Sequence, residues 1–259
     1  MPPTLLLKLV VTPVLITAAT LVGRRWGDAL SGWLVGLPLT SGPVIFFLAL
    51  DQGTRFAATA SLGVILGVAS QAAFALVYIH VGRDSRWTRR VLAATVAFTA
   101  VTVIFQLIQM PVWAEPILVV GCLAAAILVI GEVKPGPVRT ISPSMDLPLR
   151  VVVATGLVLG LTAIAPLLGA RLSGLILPFP LYATVLAVFA HRAAGPRAAA
   201  AVWRGLLFGL FSFVAFFTML AAVVVPAGIG FGFLAAIAVA AAVQAATLLA
   251  VRSRAPSRS

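Results

Sequence analysis

The residues best suited to binding chemistry lie in the stretch 34–43, in the middle of an apolar run. Pro38 lacks a backbone N–H and interrupts the hydrogen bonds of a helix, and a second proline follows five residues later. Thr40 and Ser41 place two hydroxyl groups between the prolines, and Gly42 adds backbone freedom. Unpaired N–H groups at the start of a new half-helix attract anions, whereas carbonyls freed before a proline attract cations. The stretch therefore predicts either a solute site or a simple proline kink.

A second copy of this stretch follows 142 residues later. Between 27–74 and 169–216, 16 of 48 positions are identical without a gap, and the matches include glycines, prolines and serines in fixed register. Pro180 pairs with the first proline, and Tyr182 and Thr184 supply hydroxyl groups in the second copy. We interpret the match as an internal repeat. Two breaks related by a repeat favour one shared site over two unrelated kinks.

The composition excludes a soluble globular protein. Mean hydropathy is +1.16, 62% of the residues are hydrophobic and 9% are charged. The net charge of +12 comes from short basic clusters between apolar runs, which is typical of membrane topology and not of a nucleic-acid surface. The single cysteine, Cys122, offers neither an intramolecular disulfide nor a metal cluster. The expected partners are the lipid bilayer and a small-molecule solute, with no nucleic acid, no cofactor and no metal, and a homodimer stays open.

The expected fold is an all-α polytopic membrane protein with about nine transmembrane helices, arranged as two inverted repeats that each contain a Pro/Gly-broken helix. Each apolar run approaches the roughly 20 residues that cross the hydrocarbon. The predicted spans are 5–22, 30–50, 57–81, 91–109, 114–131, 150–168, 172–190, 199–224 and 228–251. The predicted domains are 1–131 (spans 1–4 plus spacer span 5), a cytoplasmic connector at 132–149, the inverted second repeat at 150–251 and a basic tail at 252–259.

Orientation follows from the basic residues. With the N-terminus outside, fifteen lysines and arginines fall on the inner side and three on the outer side, namely Lys8, Arg55 and Arg171. This bias predicts a cytoplasmic C-terminus. The two broken segments then lie an odd number of spans apart, so the two copies cross the membrane in opposite directions. Arginine outnumbers lysine, and alanine and valine are abundant, which indicates a bacterium with GC-rich DNA and hence the bacterial plasma (inner) membrane.

Paired helices interrupted by glycine and proline in an inverted repeat are the best sequence indication of a transporter's substrate site. In outline, the chain resembles secondary transporters whose two discontinuous helices cross near the bilayer midplane, such as the sodium–proton antiporter and bile-acid symporter folds. The resemblance rests on the repeat and the two breaks, not on a family motif, and nine spans depart from the usual ten or more. It implies alternating access around the breaks, and it carries over no substrate or coupling ion.

Other polar residues at membrane depth are few. Gln71 lies in mid-span and is a candidate to face the solute, although its amide could equally join two helices by a hydrogen bond. Gln244, in the last span, allows the same two interpretations. All six acidic residues lie in loops or at span ends, so a proton antiporter built on a buried aspartate pair is disfavoured.

The repeat also contains glycine pairs four residues apart, which predict close helix packing. These pairs are Gly63/Gly67 and Gly205/Gly209. The serines that match in the repeat, Ser70 and Ser212, are expected to be small packing residues whose hydroxyls bond their own helix. The two histidines, His80 and His191, lie near the ends of spans, where interfacial solvation is the expected role.

The predicted function is an integral membrane secondary transporter that moves a small anionic or polar solute by alternating access. The predicted substrate-binding residues are Pro38, Thr40, Ser41, Gly42, Gln71, Pro180, Tyr182 and Thr184. The alternatives are a channel-like or lipid-handling membrane protein and a non-transporting scaffold subunit. An enzyme is not expected, because no Ser/His pair, carboxylate dyad or metal cluster falls within the apolar runs.

Topology gives the first testable prediction. A reporter fused after Ser259 should be active in the cytoplasm, and a cysteine placed at Ala227 should be labelled by a membrane-impermeant thiol reagent from outside. The reason is the excess of basic residues in the loops assigned to the inner side. Paired cytoplasmic and periplasmic reporter fusions measure this directly, and periplasmic activity of the C-terminal fusion would overturn the assignment.

Overall fold

The structure is a computed structural model. It describes residues 41–81, 86–133 and 143–253, together with Val10, Val14 and Pro38. This part of the chain is all-helical and contains no strand. Its helices are α1 (Ser41–Gln52), α2 (Thr54–His80), α3 (Trp87–Leu107), α4 (Ala114–Ile130), α5 (Pro143–Leu168), α6 (Ala170–Ile176), α7 (Leu181–Ala194) and α8 (Pro196–Ser253). The predicted all-α class is confirmed for these residues.

Three of the described helices are long and apolar enough to cross a membrane. They are Thr54–His80, Trp87–Leu107 and Pro196–Ala246. Only 22% of the most apolar window of α3 is buried in the protein, and its outer face exposes Leu92, Val96 and Leu107. A face of large apolar side chains would be unfavourable in water but suits hydrocarbon. These helices indicate a membrane protein, as the composition predicted.

Helix α2 lies at the centre of the described helices. It packs against α1, α3, α4, α6 and α8, and 72% of its most apolar window is buried inside the protein. Helix α4, the predicted spacer span, packs against both α2 and α8. The apolar core therefore forms where α2 and α8, from the two halves of the sequence, face α4 and each other.

The long apolar helix at Pro196–Ala246 is interrupted at one residue. Its 51 residues would form a straight helix about 77 Å long, more than twice the roughly 30 Å hydrocarbon core. Gly228 has φ 81° and ψ 174°, a conformation that glycine adopts far more readily than other residues. Beyond it the backbones come close, since a Cβ at Gly232 would lie 3.0 Å from the Cα of Val224. The interruption falls at the predicted boundary between spans 199–224 and 228–251.

The other span boundaries agree with the helices to differing degrees. Helices α2, α3 and α4 coincide with predicted spans within a few residues. Helix α5 begins at Pro143 and not at residue 150, so it includes the end of the predicted connector, and Pro148 lies inside it. Span 5–22 lies outside the described residues except for Val10 and Val14, and so does most of 30–50 before Ser41. The number of spans therefore stays a prediction.

Three glycines allow α6 to lie directly on α2. A Cβ on Gly174 would contact the carbonyl oxygen of Ala60, and one on Gly63 would contact the carbonyl oxygen of Arg171. One turn further, a Cβ on Gly67 would lie 2.9 Å from the Pro178 ring. The close packing predicted for Gly63 and Gly67 is confirmed. At Gly205, by contrast, a Cβ would meet no atom of the described residues within 4 Å.

This crossing gives a prediction about folding. Gly63→Ala and Gly174→Ala should each destabilise the protein by about 1–3 kcal/mol, because the added methyl group overlaps backbone atoms that cannot move aside cheaply. Gly121→Ala is the matched control, because a Cβ there meets nothing within 4 Å in the described part of the chain. Thermal unfolding in detergent measures the difference. Equal melting temperatures for all three variants would contradict the backbone contact.

Candidate functional site

The second proline-rich segment is a true interruption of the helix. Helix α6 ends at Ile176 and α7 begins at Leu181, with Leu177, Pro178, Phe179 and Pro180 between them. Pro180 has φ −82° and ψ 53°, close to an inverse γ-turn, and the N–H of Leu181 donates to the carbonyl of Phe179 at 2.8 Å. The helix is therefore divided here, and is not a continuous helix with a proline kink.

The first segment ends in a matching backbone hydrogen bond. The N–H of Gly42 donates to the carbonyl of Pro38 at 2.7 Å, and the N–H of Thr184 donates to the carbonyl of Pro180 at 2.8 Å. Both the donors and the acceptors are 142 positions apart. Helix α1 begins at Ser41, within the predicted stretch. The predicted site residue Thr40 lies outside the described residues, as does residue 39.

The ends of the two half-helices also match. Gly53 joins α1 to α2 with φ 87°, and Gly195 joins α7 to α8 with φ 84°. Their N–H groups close the preceding helices by donating to the carbonyls of Ala49 and His191. Each half-helix thus connects to a long helix through one glycine in a left-handed conformation.

The predicted site residues at the two breaks fall into two groups, and the short helices that carry them pack against different long helices. Ser41 and Gly42 are buried at the start of α1, which packs mainly against α2 and α5. Pro180 is buried and Thr184 half-buried at the start of α7, which packs mainly against α8. The Oγ1 atom of Thr184 has no hydrogen-bond partner among the described residues. Tyr182 belongs to α7, and its side chain lies outside the description.

Aromatic side chains cover both breaks, each from the opposite half of the chain. Phe74 of α2 packs edge-on against Phe179 at 5.9 Å between ring centroids. Phe216 of α8 lies over the first break, since a Cβ on Gly42 would be 3.8 Å from its ring. Phe74 and Phe216 are themselves 142 positions apart and form the last identical pair of the repeat. The repeat marks these two positions as equivalent, but the sequence does not show what the two rings contact.

The polar residues within α2 have different surroundings. Ser70 accepts a hydrogen bond from the hydroxyl of Thr102 at 3.0 Å, which joins α2 to α3. This bond joins two helices, whereas the prediction was a bond within the serine's own helix. Ser212 fits that prediction, since its hydroxyl donates to the carbonyl of Gly209 at 2.8 Å. Gln71 is buried, with 6% of its surface exposed, and Gln244 is 1% exposed. Burial of an amide is compatible with both interpretations made from the sequence, a solute contact or a link between helices.

Sequence reasoning missed a polar contact between the halves of the chain. The hydroxyl of Tyr78, at the end of α2, lies 3.4 Å from Nδ1 of His191, at the end of α7. Tyr78 is 1% exposed, and its ring packs against Trp203 at 5.5 Å. His191 is half-buried, and not simply solvated at the interface as predicted. His80 does match the prediction, because it is exposed.

Two arginines, one buried and one half-buried, donate hydrogen bonds to carbonyls at the ends of helices. The nitrogens that make these bonds are not free to bind an anion. Arg90 is 2% exposed and donates to the carbonyls of Tyr78 and Ile79 at 3.0 and 3.2 Å. Arg171 donates to the carbonyls of Phe105 and Ile108 at 3.1 and 2.8 Å. A cation at a helix C-terminus pairs with carbonyls that have no partner in the helix. We assign both side chains to the stability of the fold.

Comparison with protein-family models, with curated proteins and with solved structures finds no match for this chain. The features of this protein that bear on its function are therefore the geometry of the two breaks and the residues around them.

The contact between Gly42 and Phe216 gives the prediction for this site. Gly42→Ala should be tolerated, because its methyl group would make an ordinary contact 3.8 Å from the Phe216 ring. Gly42→Leu should lower the melting temperature, because the larger side chain must displace that ring. The double variant Gly42→Leu/Phe216→Ala should recover part of the loss. Additive effects of the two substitutions would show that the ring does not cover the break.

Proposed function

We propose that this protein is a secondary transporter that moves a small anionic or polar solute across a bacterial inner membrane. The two broken helices would form one binding site, in two inverted repeats of a nine-span chain whose N-terminus lies outside. The observation that carries the proposal is the interruption at 177–180, together with the matching hydrogen bonds onto Pro38 and Pro180. Non-helical backbone at membrane depth is tolerated only where protein or a wet cavity surrounds it.

The chemistry of the breaks favours a guest that accepts hydrogen bonds. The prolines have no N–H, and the first N–H groups of α1 and α7 lie at the positive ends of the helix dipoles. The unpartnered hydroxyl of Thr184 supplies a further donor beside the second break. A carboxylate, a phosphate or a strongly polar group fits such donors. The rings of Phe74 and Phe216 would exclude water and strengthen these interactions.

The connections of the half-helices suit alternating access. Gly53 and Gly195 can absorb rotations that other residues resist, because both already have positive φ values. Helices α1 and α7 could thus tilt relative to α2 and α8 without disturbing the packed core between the long helices. Hinges of this kind are usually confined to a few residues at the ends of elements.

The experiment that tests the function starts from binding. Purified protein would be heated with a panel of small mono- and dicarboxylates, inorganic phosphate and amino acids, and stabilising compounds would then be used in counterflow assays in liposomes. Stabilisation grows with ligand concentration relative to the dissociation constant. Counterflow of a stabilising compound supports a carrier, whereas leakage without counterflow supports a channel. The absence of both would favour a lipid-handling or scaffold role.

Removing the second break should abolish transport. Pro180→Ala restores an N–H, so a helix that contains only Pro178 can form across the break, just as α5 continues through Pro148. The variant should therefore fold but fail to transport the compound found above. Pro166→Ala is the matched control, because Pro166 is an exposed proline within α5. Thr184→Val should weaken apparent affinity by roughly two- to tenfold, the effect of one lost hydrogen bond. Wild-type transport by Pro180→Ala would make the second break a structural feature without a role in transport.

A further inference from the structure

Helix α7 is flanked at both ends by residues where the backbone can bend. Its N-terminus follows the break at 177–180, and its C-terminus meets Gly195. Its packing is mainly against α8, with smaller contacts to α3 and α5. Because the chain can bend at both ends, this 14-residue helix can shift over α8 as a unit. The contact between His191 and Tyr78 is where its C-terminal end meets α2.

The α2 side of this contact is rigid. The Tyr78 ring packs against Trp203 at 5.5 Å, and Arg90 donates to the Tyr78 carbonyl at 3.0 Å. Its hydroxyl can donate to Nδ1 of His191 when the imidazole proton is on Nε2. The separation of 3.4 Å is at the long end for such a bond, so breaking the bond costs little free energy. A fixed donor and a weakly held acceptor suit a contact that opens and closes.

The position of His191 relates this contact to the proposed site. Thr184 and His191 are seven residues apart on α7, so they lie on the same face of the helix, two turns and about 10.5 Å apart. Opening the contact would let the C-terminal end of α7 move away from α2 on the face that carries Thr184. In the proposed carrier, this movement would open a path from that side of the membrane to the second break.

We propose that the Tyr78–His191 contact is a gate that closes the solute site on the side of the membrane where α2 and α7 end. This inference rests on the proposed transport function and adds two positioning residues to it. By the predicted topology the gate faces the cytoplasm. Neither residue needs to touch the solute, because both act through the position of α7.

Thiol accessibility tests the gate without a known solute. In a Cys122→Ser background, Thr184→Cys provides the single reporter thiol, and its reaction with a membrane-impermeant methanethiosulfonate is timed from each side of proteoliposomes. A separate His80→Cys protein marks the side on which α2 ends. Tyr78→Phe keeps the ring against Trp203 but removes the hydroxyl, and His191→Phe removes the acceptor. Each should speed labelling of the reporter thiol from the His80 side by roughly two- to tenfold, the factor expected for one net hydrogen bond.

Two controls separate gating from general loosening. Thr102→Val removes the hydroxyl that donates to Ser70 between α2 and α3, and it should leave the labelling rate unchanged. His191→Asn keeps a polar acceptor near the position of Nδ1 and should restore slower labelling than His191→Phe. Melting temperatures and size-exclusion profiles confirm that each variant is folded.

The outcomes distinguish the gate from the function on which it rests. Faster labelling in Tyr78→Phe and His191→Phe, confined to the His80 side, supports the gate. Unchanged rates in Tyr78→Phe, with the reporter thiol still labelled in the parent protein, overturn the gate and leave the carrier standing. If the reporter thiol reacts from neither side in any variant, no path reaches the second break, and both the gate and the proposed carrier are wrong.

Discussion

Buried backbone polar groups must find partners within the protein, and this requirement governs the largely buried segment 177–180. A continuous helix satisfies it automatically, but Pro178 and Pro180 have no N–H, so a helix through this segment would lack two of its backbone hydrogen bonds. The structure replaces the missing bonds with short turns. The N–H of Leu177 donates to the carbonyl of Gly174, and the N–H of Phe179 donates to that of Ile176. The break can persist only because these local bonds form and because other helices enclose it.

The glycines of α2 are part of that enclosure. Gly63 and Gly174 let the backbones of α2 and α6 touch, and Gly67 receives the Pro178 ring on the same face of α2. One turn of helix separates the two α2 glycines, so one face of α2 holds both the end of α6 and the start of the break. Close packing of small residues gives dispersion contacts in a membrane, where apolar association is otherwise weakly driven. The four-residue glycine spacing and the proline break are therefore two parts of one arrangement.

Much of this arrangement could be predicted from the residues. The all-helical class of the described residues follows from the composition. The interruption at Gly228 lies at a predicted span boundary, because the apolar run there is too long for one crossing. Helix α5 was harder, because a proline near a helix start is tolerated and Pro148 does not end the helix. Whether a proline kinks a helix or divides it depends on tertiary packing.

The contacts between the halves could not be read from the sequence. Tyr78 and His191 are 113 residues apart, and neither belongs to a motif that would pair them. Phe74 and Phe179 likewise meet through the crossing of α2 and the break. A repeat shows which positions correspond, but it does not show which positions touch across the two copies. Long-range contacts of this kind require knowledge of helix crossing angles, and hydrophobic periodicity carries no information about them.

The match between the two halves also has a chemically useful exception. Gly42 and Thr184 donate equivalent backbone hydrogen bonds at corresponding positions, but one has no side chain and the other has a hydroxyl without a partner among the described residues. In the proposed carrier, the first break would give the solute room to approach the backbone, and the second would add a side-chain donor. A symmetric site would bind an asymmetric guest equally well in two orientations. In the proposed carrier, the difference between glycine and threonine at this position would favour one orientation of an asymmetric solute, with its acceptor group directed toward Thr184.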